Sequence, residues 1–88
     1  MDIEFDPEKD QINIQKHGLS LADAGLIDWS SAIIVEDSRV DYGETRYQAL
    51  GMLGDRLYFI AFTPRNGVMR VISLRKANKK EVCSYGQV

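Results

Sequence analysis

The sequence predicts one small α+β domain, and three observations carry that prediction. Helix signals crowd the first third of the chain and strand-like segments crowd its last half, without the alternation that a parallel α/β fold needs. Eighty-eight residues are enough for one domain and not for two. An apolar share of 44% with 27% charged residues argues for a globular chain and against disorder.

The elements follow in order. Ile3 and Phe5 suggest a short first strand. Asp6-Pro7 reads as an N-cap with proline at the first helical position, and Glu8 complements the helix dipole. The pattern predicts a helix from there to His17, closed by Gly18 in the left-handed conformation that glycine adopts readily. Ser20-Leu21-Ala22-Asp23 starts a second short helix that reaches about Asp28. A strand over residues 31–36 contains Ile33-Ile34-Val35. Residues 47–52, 56–63 and 68–74 are rich in aromatic and aliphatic side chains, punctuated by Gly54-Asp55 and Asn66-Gly67. Asn-Gly favours a two-residue hairpin, so these strands form an antiparallel meander. A short helix over residues 77–84 ends the reading.

The formal net charge of −2 conceals a polarised chain. Residues 1–44 hold eleven acids against Lys9, Lys16 and Arg39. Residues 63–80 hold Arg65, Arg70, Arg75, Lys76, Lys79 and Lys80 and no acid. Such a chain can bind a polyanion at one end while staying acidic as a whole. Solvating charge explains the three lysines as well as a binding role does, but it explains the three arginines less well. No apolar run is long enough to span a bilayer, and Met1-Asp2-Ile3-Glu4 lacks the layout of a secretory signal. The lone Cys83 has no partner for an internal disulfide, which points to a reducing compartment. One histidine and one cysteine are too few soft ligands for a zinc site. The expectation is a cytoplasmic protein without metal, other cofactor or membrane partner.

Several residues can carry chemistry. If strand 68–74 stays regular, Arg70 shares a face with Val68, Ile72 and Leu74, and a guanidinium among apolar neighbours needs an anion or a route to water. Arg75 then points to the other face, and Arg65 precedes the Asn-Gly turn. Arginines grip phosphate oxygens in bidentate fashion, so several converging on a cleft suit a phosphodiester. On the first helix, Lys9, Asn13, Lys16 and His17 line one face at spacings of three and four. There His17 can exchange protons near neutral pH while its neighbours hold phosphate. The plainer reading is a solvated face whose histidine complements the helix dipole. Glu44 and Arg46 sit beside the turn-like Asp41-Tyr42-Gly43, where the carboxylate is a base, an orienting group for an arginine, or a loop charge. Tyr42, Tyr47 and Tyr58 can stack on bases, but the two in strands suit core packing better. No Walker-type loop, dinucleotide fingerprint or Ser-His-Asp order is present.

Read in order, these pieces resemble the BrnT family of type II toxins, within the RelE-like superfamily, over essentially the whole chain. The matching stretches are Phe5-Asp6-Pro7-Glu8-Lys9, Asn13 with Lys16-His17-Gly18 and Leu19-Ser20-Leu21, Gly43-Glu44 with Arg46, Thr63-Pro64-Arg65, and Arg70-Val71-Ile72-Ser73-Leu74-Arg75-Lys76-Ala77. The Lys-His-Gly and Ser-x-Arg-Lys-Ala pair carries most of the weight. The resemblance implies a small RelE-like domain, RNA cleavage without a metal, and an antitoxin with a ribbon-helix-helix domain. It also implies that operator DNA is met only through that antitoxin. Where such chains continue the last helix with more arginines, this one has Glu81-Val82-Cys83-Ser84-Tyr85, which makes the RNA-facing end of the helix less basic.

Cleavage of that kind uses the ribose 2′-hydroxyl as nucleophile. It needs a base for that hydroxyl, cations for the phosphorane and an acid for the leaving oxygen. On this reading Arg65, Arg70 and Arg75 bind phosphate and stabilise its charge, His17 or Glu44 transfers the proton, and Lys16 supports it. Arg46, Lys76, Lys79 and Lys80 complete the RNA-binding set. The alternative is a protein of the same fold that binds its antitoxin and tunes operon repression with little nuclease activity, which the pI near 5.3 favours slightly. A plain structural domain leaves the basic block 63–80 unexplained.

Overall fold

The computed structural model describes residues 2–86. Its elements are β1 (Ile3–Glu4), α1 (Pro7–His17), a 3₁₀ helix (Leu21–Leu26), β2 (Asp28–Asp37), β3 (Arg46–Leu53), β4 (Arg56–Arg65), β5 (Val68–Lys76) and α2 (Lys79–Gly86). The architecture is α+β, as the sequence predicts. Among the described residues no helix is long and apolar enough to cross a membrane.

Local chemistry accounts for the helices. The Asp6 carboxylate accepts the Glu8 N–H at 2.9 Å and Pro7 fills the first turn of α1. Gly18 ends it at φ 71°, donating its N–H to the Ile14 carbonyl at 2.8 Å. The second helical segment is shorter and tighter than the expected helix to Asp28. Asp10 Oδ1 accepts both the Leu21 N–H and the Ser20 hydroxyl, which pins the segment's start to α1. Gly25 weakens any continuation, and the chain is already extended at Ile27. β2 then begins at Asp28, whose carboxylate accepts from Ser30 and Ser31, and its pairing with β3 shifts between Asp28 and Ile33.

The sheet order is β1-β5-β4-β3-β2. β2 to β5 make the expected antiparallel meander, and the Asn66-Gly67 turn has φ of 52° and 77° at its two central residues. β1 lies parallel on the outer edge of β5, setting Ile3 against Met69 and Glu4 against Arg70. One face of the sheet holds the core: Ala49, Ile60, Phe62, Val71 and Leu74 pack against Leu21 and Ala24 of the 3₁₀ segment and Ile27 just after it. Trp29 closes this layer, donating its Nε1–H to the Ala24 carbonyl and meeting Phe62 edge-on.

Two irregularities correct the sequence reading. Ala61 pairs with Ser73 but Phe62 pairs with Val71, so Ile72 is an extra residue in β5. The bulge breaks the alternation, and Val71 and Leu74, three apart, both face the core at 1% exposure. Arg70 therefore does not share a face with Leu74. It points away from the core, and Arg75 lies on the same side as Arg70 rather than opposite to it.

The second correction concerns Asn13. β1 is only two residues long, so the edge of β5 beyond Arg70 lacks a strand partner. Asn13 takes that place: its Nδ2 donates to the Leu74 carbonyl at 2.8 Å and its Oδ1 accepts the Leu74 N–H at 3.2 Å. Nδ2 also donates to the Leu19 carbonyl at 2.8 Å. At 5% exposure this amide belongs to the core and is not a ligand on a solvated helix face.

Asn13→Ala leaves the buried N–H and C=O of Leu74 and the half-buried Leu19 carbonyl without their partner. It should lower the unfolding free energy by about 3 kcal/mol. Urea denaturation checks this, and an unchanged midpoint would mean that water replaces the amide without loss.

Candidate functional site

Cross-strand partners share a face, so the pairing of the sheet fixes what lies opposite the core. Val35, Gln48, Ala61 and Ser73 form one row, and Ile33, Leu50, Phe59 and Arg75 form the next. Toward the other end Asp37 pairs with Arg46, and Thr63 with Arg70. Arg65 follows Thr63 by two and points the same way. The second face thus gathers Arg46, Arg65, Arg70 and Arg75, which the sequence had not placed together.

Each guanidinium has a carboxylate, and the grip differs. Glu44 bridges two arginines, its Oε1 meeting Arg65 at 3.1 Å and its Oε2 meeting Arg46 at 3.2 Å. Hydrogen bonds from Arg65 first and Arg46 second hold its carboxyl below the usual carboxylate range. A carboxylate so stabilised is a poor proton acceptor and a good orienting group. Arg46 also lies over the Tyr42 ring, 4.0 Å from its centre. Tyr42 is held in turn by Asp37, whose Oδ2 accepts the Tyr42 hydroxyl while the same carboxylate takes the Arg39 guanidinium through two hydrogen bonds and the Gln48 amide through one. Thr63, 2% exposed and anchored to the Thr45 carbonyl, forms the floor beside Arg70.

Arg70 is the loosest of the four. Its contact with Glu4 is 3.6 Å, beyond a hydrogen bond, and its side chain is partly open to solvent. Arg75 is the tightest, with two hydrogen bonds to Glu81 of 2.8 and 2.9 Å and its guanidinium 4.1 Å above the Phe59 ring. Lys76, Lys79 and Lys80 are exposed around the start of α2.

Lys16 and His17 lie apart from the Glu44 cluster. With Lys9, Ile12, Asn13, Ile72 and Ser73 they line a cleft of about 220 Å³ between α1 and the edge of β5. The bulge turns Ile72 and Ser73 toward this cleft, so it borders the arginine face through Ser73. Tyr47 and Tyr58 pack against the core as expected, Tyr47 stacked on Phe62.

The sequence reading missed Glu81 and Asn78. Asn78 Oδ1 accepts the Glu81 N–H at 2.8 Å and Glu81 Oε1 accepts the Asn78 N–H at 2.9 Å, a reciprocal cap that starts α2. The signal was legible: Asn78 with Glu81 three residues on is the spacing of a capping box. Glu81 thus serves the helix and Arg75 together.

Residues 5–81 match the family model described as "Ribonuclease toxin, BrnT, of type II toxin-antitoxin system". No curated protein matches the sequence. The matched span includes the four arginines, Glu44, the α1 cleft and Glu81.

The Glu81 carboxyl is held below its ordinary 4.5, chiefly by the Arg75 hydrogen bonds, against an opposing effect of burial. A folded value lower than the unfolded one stabilises the docked helix fully above pH 4.5, and that contribution is lost as pH falls through the folded value. Acidification from neutrality should therefore release α2 before the sheet melts. Amide resonances of residues 79–86 should titrate ahead of those of β4; if the two sets move together, the ion pair does not hold the helix.

Proposed function

The chain belongs to the BrnT family of ribonuclease toxins of type II toxin–antitoxin systems, and from that premise we propose that it cleaves RNA on its arginine face without a metal, and that a ribbon-helix-helix antitoxin silences it by covering that face. The observation that carries this reading is the collection of Arg46, Arg65, Arg70 and Arg75 on one side of the sheet. A toxin of this class works with an antitoxin, and the ribbon-helix-helix type is an inference from the resemblance.

In the proposed reaction a base removes the 2′-hydroxyl proton and the oxygen attacks the adjacent phosphorus. The bond from phosphorus to the 5′-oxygen breaks, that oxygen takes a proton, and a cyclic phosphate remains on the other product. Negative charge grows on the non-bridging oxygens during attack, and Arg65 and Arg70 supply the compensating guanidinium groups. Arg70 has the most unused hydrogen-bonding capacity, because its carboxylate is the most distant. His17 is favoured over Glu44 for proton transfer: Glu44 is committed to two arginines, whereas His17 lies in a cleft beside Ser73. Lys16 in the same cleft, Arg46, and the exposed Lys76, Lys79 and Lys80 extend the track for the RNA backbone.

One observation favours a second reading, a weakly active partner protein that mainly binds its antitoxin. Every arginine of the face already faces a carboxylate: Glu44 for two of them, Glu4 and Glu81 for the others. Cleavage of bulk RNA by the purified chain, lost on adding the antitoxin, separates the two.

Arg70→Ala should reduce cleavage by about 100-fold, the effect of removing one charge-stabilising donor, with little change in Tm because the pair it breaks is long and partly exposed. Loss of the fold in place of loss of activity would make Arg70 a structural residue. His17→Gln keeps size and hydrogen bonding but cannot titrate near neutrality. The rate should fall and its pH profile should lose one limb; an unaltered profile would return proton transfer to Glu44.

A further inference from the structure

We propose that Glu81 is an internal stand-in for phosphate: it occupies the Arg75 guanidinium in the free protein, and an RNA phosphodiester displaces it, freeing α2 from the sheet. The inference rests on RNA binding at the arginine face and adds the regulation of one of its sites.

The geometry of the pair is that of phosphate recognition. Both terminal nitrogens of Arg75 are engaged by both oxygens of Glu81, at 2.8 and 2.9 Å, the fork that a guanidinium also presents to two phosphate oxygens. Arg75 keeps its place without Glu81, because its guanidinium rests on the Phe59 ring. The site is therefore formed in advance and filled by a group of the right charge and shape.

The helix carrying Glu81 is held in a way that allows release. No residue of α2 is buried. Beneath it lies a cleft of about 280 Å³ whose apolar walls include Ile33, Val35, Leu50 and Phe59. Polar contacts hold the two ends, Glu81 on Arg75 and the Tyr85 hydroxyl donating to the Ser31 carbonyl at 3.0 Å. A helix docked by polar clamps over unfilled apolar space gives up little packing when it leaves. The Asn78–Glu81 cap is internal to the helix, so opening the clamp does not unwind it. Lys79 and Lys80, exposed beside Glu81, draw a polyanion to this end of α2.

The test is the affinity of a labelled single-stranded RNA oligonucleotide across a salt series. Glu81→Gln keeps the helix cap, since glutamine serves in a capping box, and removes the competing charge. Asp55→Asn, in the exposed β3–β4 turn, controls for net charge. Glu81→Gln should bind roughly tenfold tighter, the effect of one charge-assisted pair that no longer has to be broken, and the gain should shrink as salt rises and screens the competing charge. Adding Arg75→Ala should abolish the gain. A Glu81→Gln variant no tighter than Asp55→Asn, or a gain that survives without Arg75, overturns the proposal.

A second measurement uses the unaltered chain. On RNA titration the Arg75 Nε–Hε resonance and the α2 amides should shift together; bound RNA with α2 amides unmoved also overturns it. Tighter, Arg75-dependent binding without cleavage by any variant would keep the latch and sink the nuclease reading. Cleavage that depends on Arg70 but is indifferent to Glu81 would do the reverse.

Discussion

Beyond Arg70 the outer edge of β5 has no strand beside it, and the side-chain amide of Asn13 takes up both the N–H and the C=O of Leu74 there. A primary amide offers a donor and an acceptor at the spacing of a peptide group, so it can pair with a strand edge as another strand would. Much else follows from this contact. It fixes the distance and rotation of α1 against the sheet, and its third hydrogen bond, to Leu19, fixes the chain reversal after Gly18. One turn back, Asp10 ties the 3₁₀ segment to the same helix, and that segment with the Ile27 that follows it supplies Leu21, Ala24 and Ile27 to the core. α1 buries no apolar residue, and Ile12 and Ile14 are both exposed. The helix is therefore positioned by polar geometry, with apolar packing left to the 3₁₀ segment behind it.

The bulge at Ile72 makes the matching adjustment on the strand. Without it Arg70 and Arg75, five apart, would fall on opposite faces. With the extra residue both leave the core side, while Val71 and Leu74 fill it. The same extra residue faces Ile72 and Ser73 toward α1, so the His17 cleft and the arginine face meet along one strand. One inserted residue thus serves the core and the candidate site at once.

Features set by local chemistry were legible in the sequence. Asp6-Pro7, Gly18 and Asn66-Gly67 each act within a few residues of themselves, and all three behave as read. The strands of the meander were legible for the same reason. What escaped depends on partners far along the chain. Asn13 and Leu74 are 61 residues apart, and nothing in the first helix distinguishes a buried amide from a solvated one. Val71-Ile72-Ser73-Leu74 reads as regular alternation until the pairing with Ala61 and Phe62 is known. The facing of Arg70 and Arg75 was therefore misread, although both had been singled out by type. Glu81 is a different case. Its spacing from Asn78 is a local signal for a helix start, whereas its pairing with Arg75 depends on how α2 docks on the sheet.

The carboxylates of the arginine face also reconcile an acidic chain with a polyanionic ligand. Glu44 pairs with Arg46 two residues away and Glu81 with Arg75 six residues away, while Glu44 also reaches Arg65 and Glu4 reaches Arg70 across the sheet, so the face is balanced by local and tertiary pairs together. A cluster of bare guanidinium groups would repel itself and bind any nucleic acid loosely. Paired with carboxylates, the same groups are held in position and contribute little net field at a distance. Partly exposed ion pairs of this kind are individually weak. If the face binds RNA as proposed, each phosphate exchanges with a carboxylate at small net cost, and only a backbone that reaches several arginines at once gains much. Discrimination then comes from the spacing of the arginines more than from their number, and that spacing is set by the bulge in β5 and by Glu44 between β3 and β4.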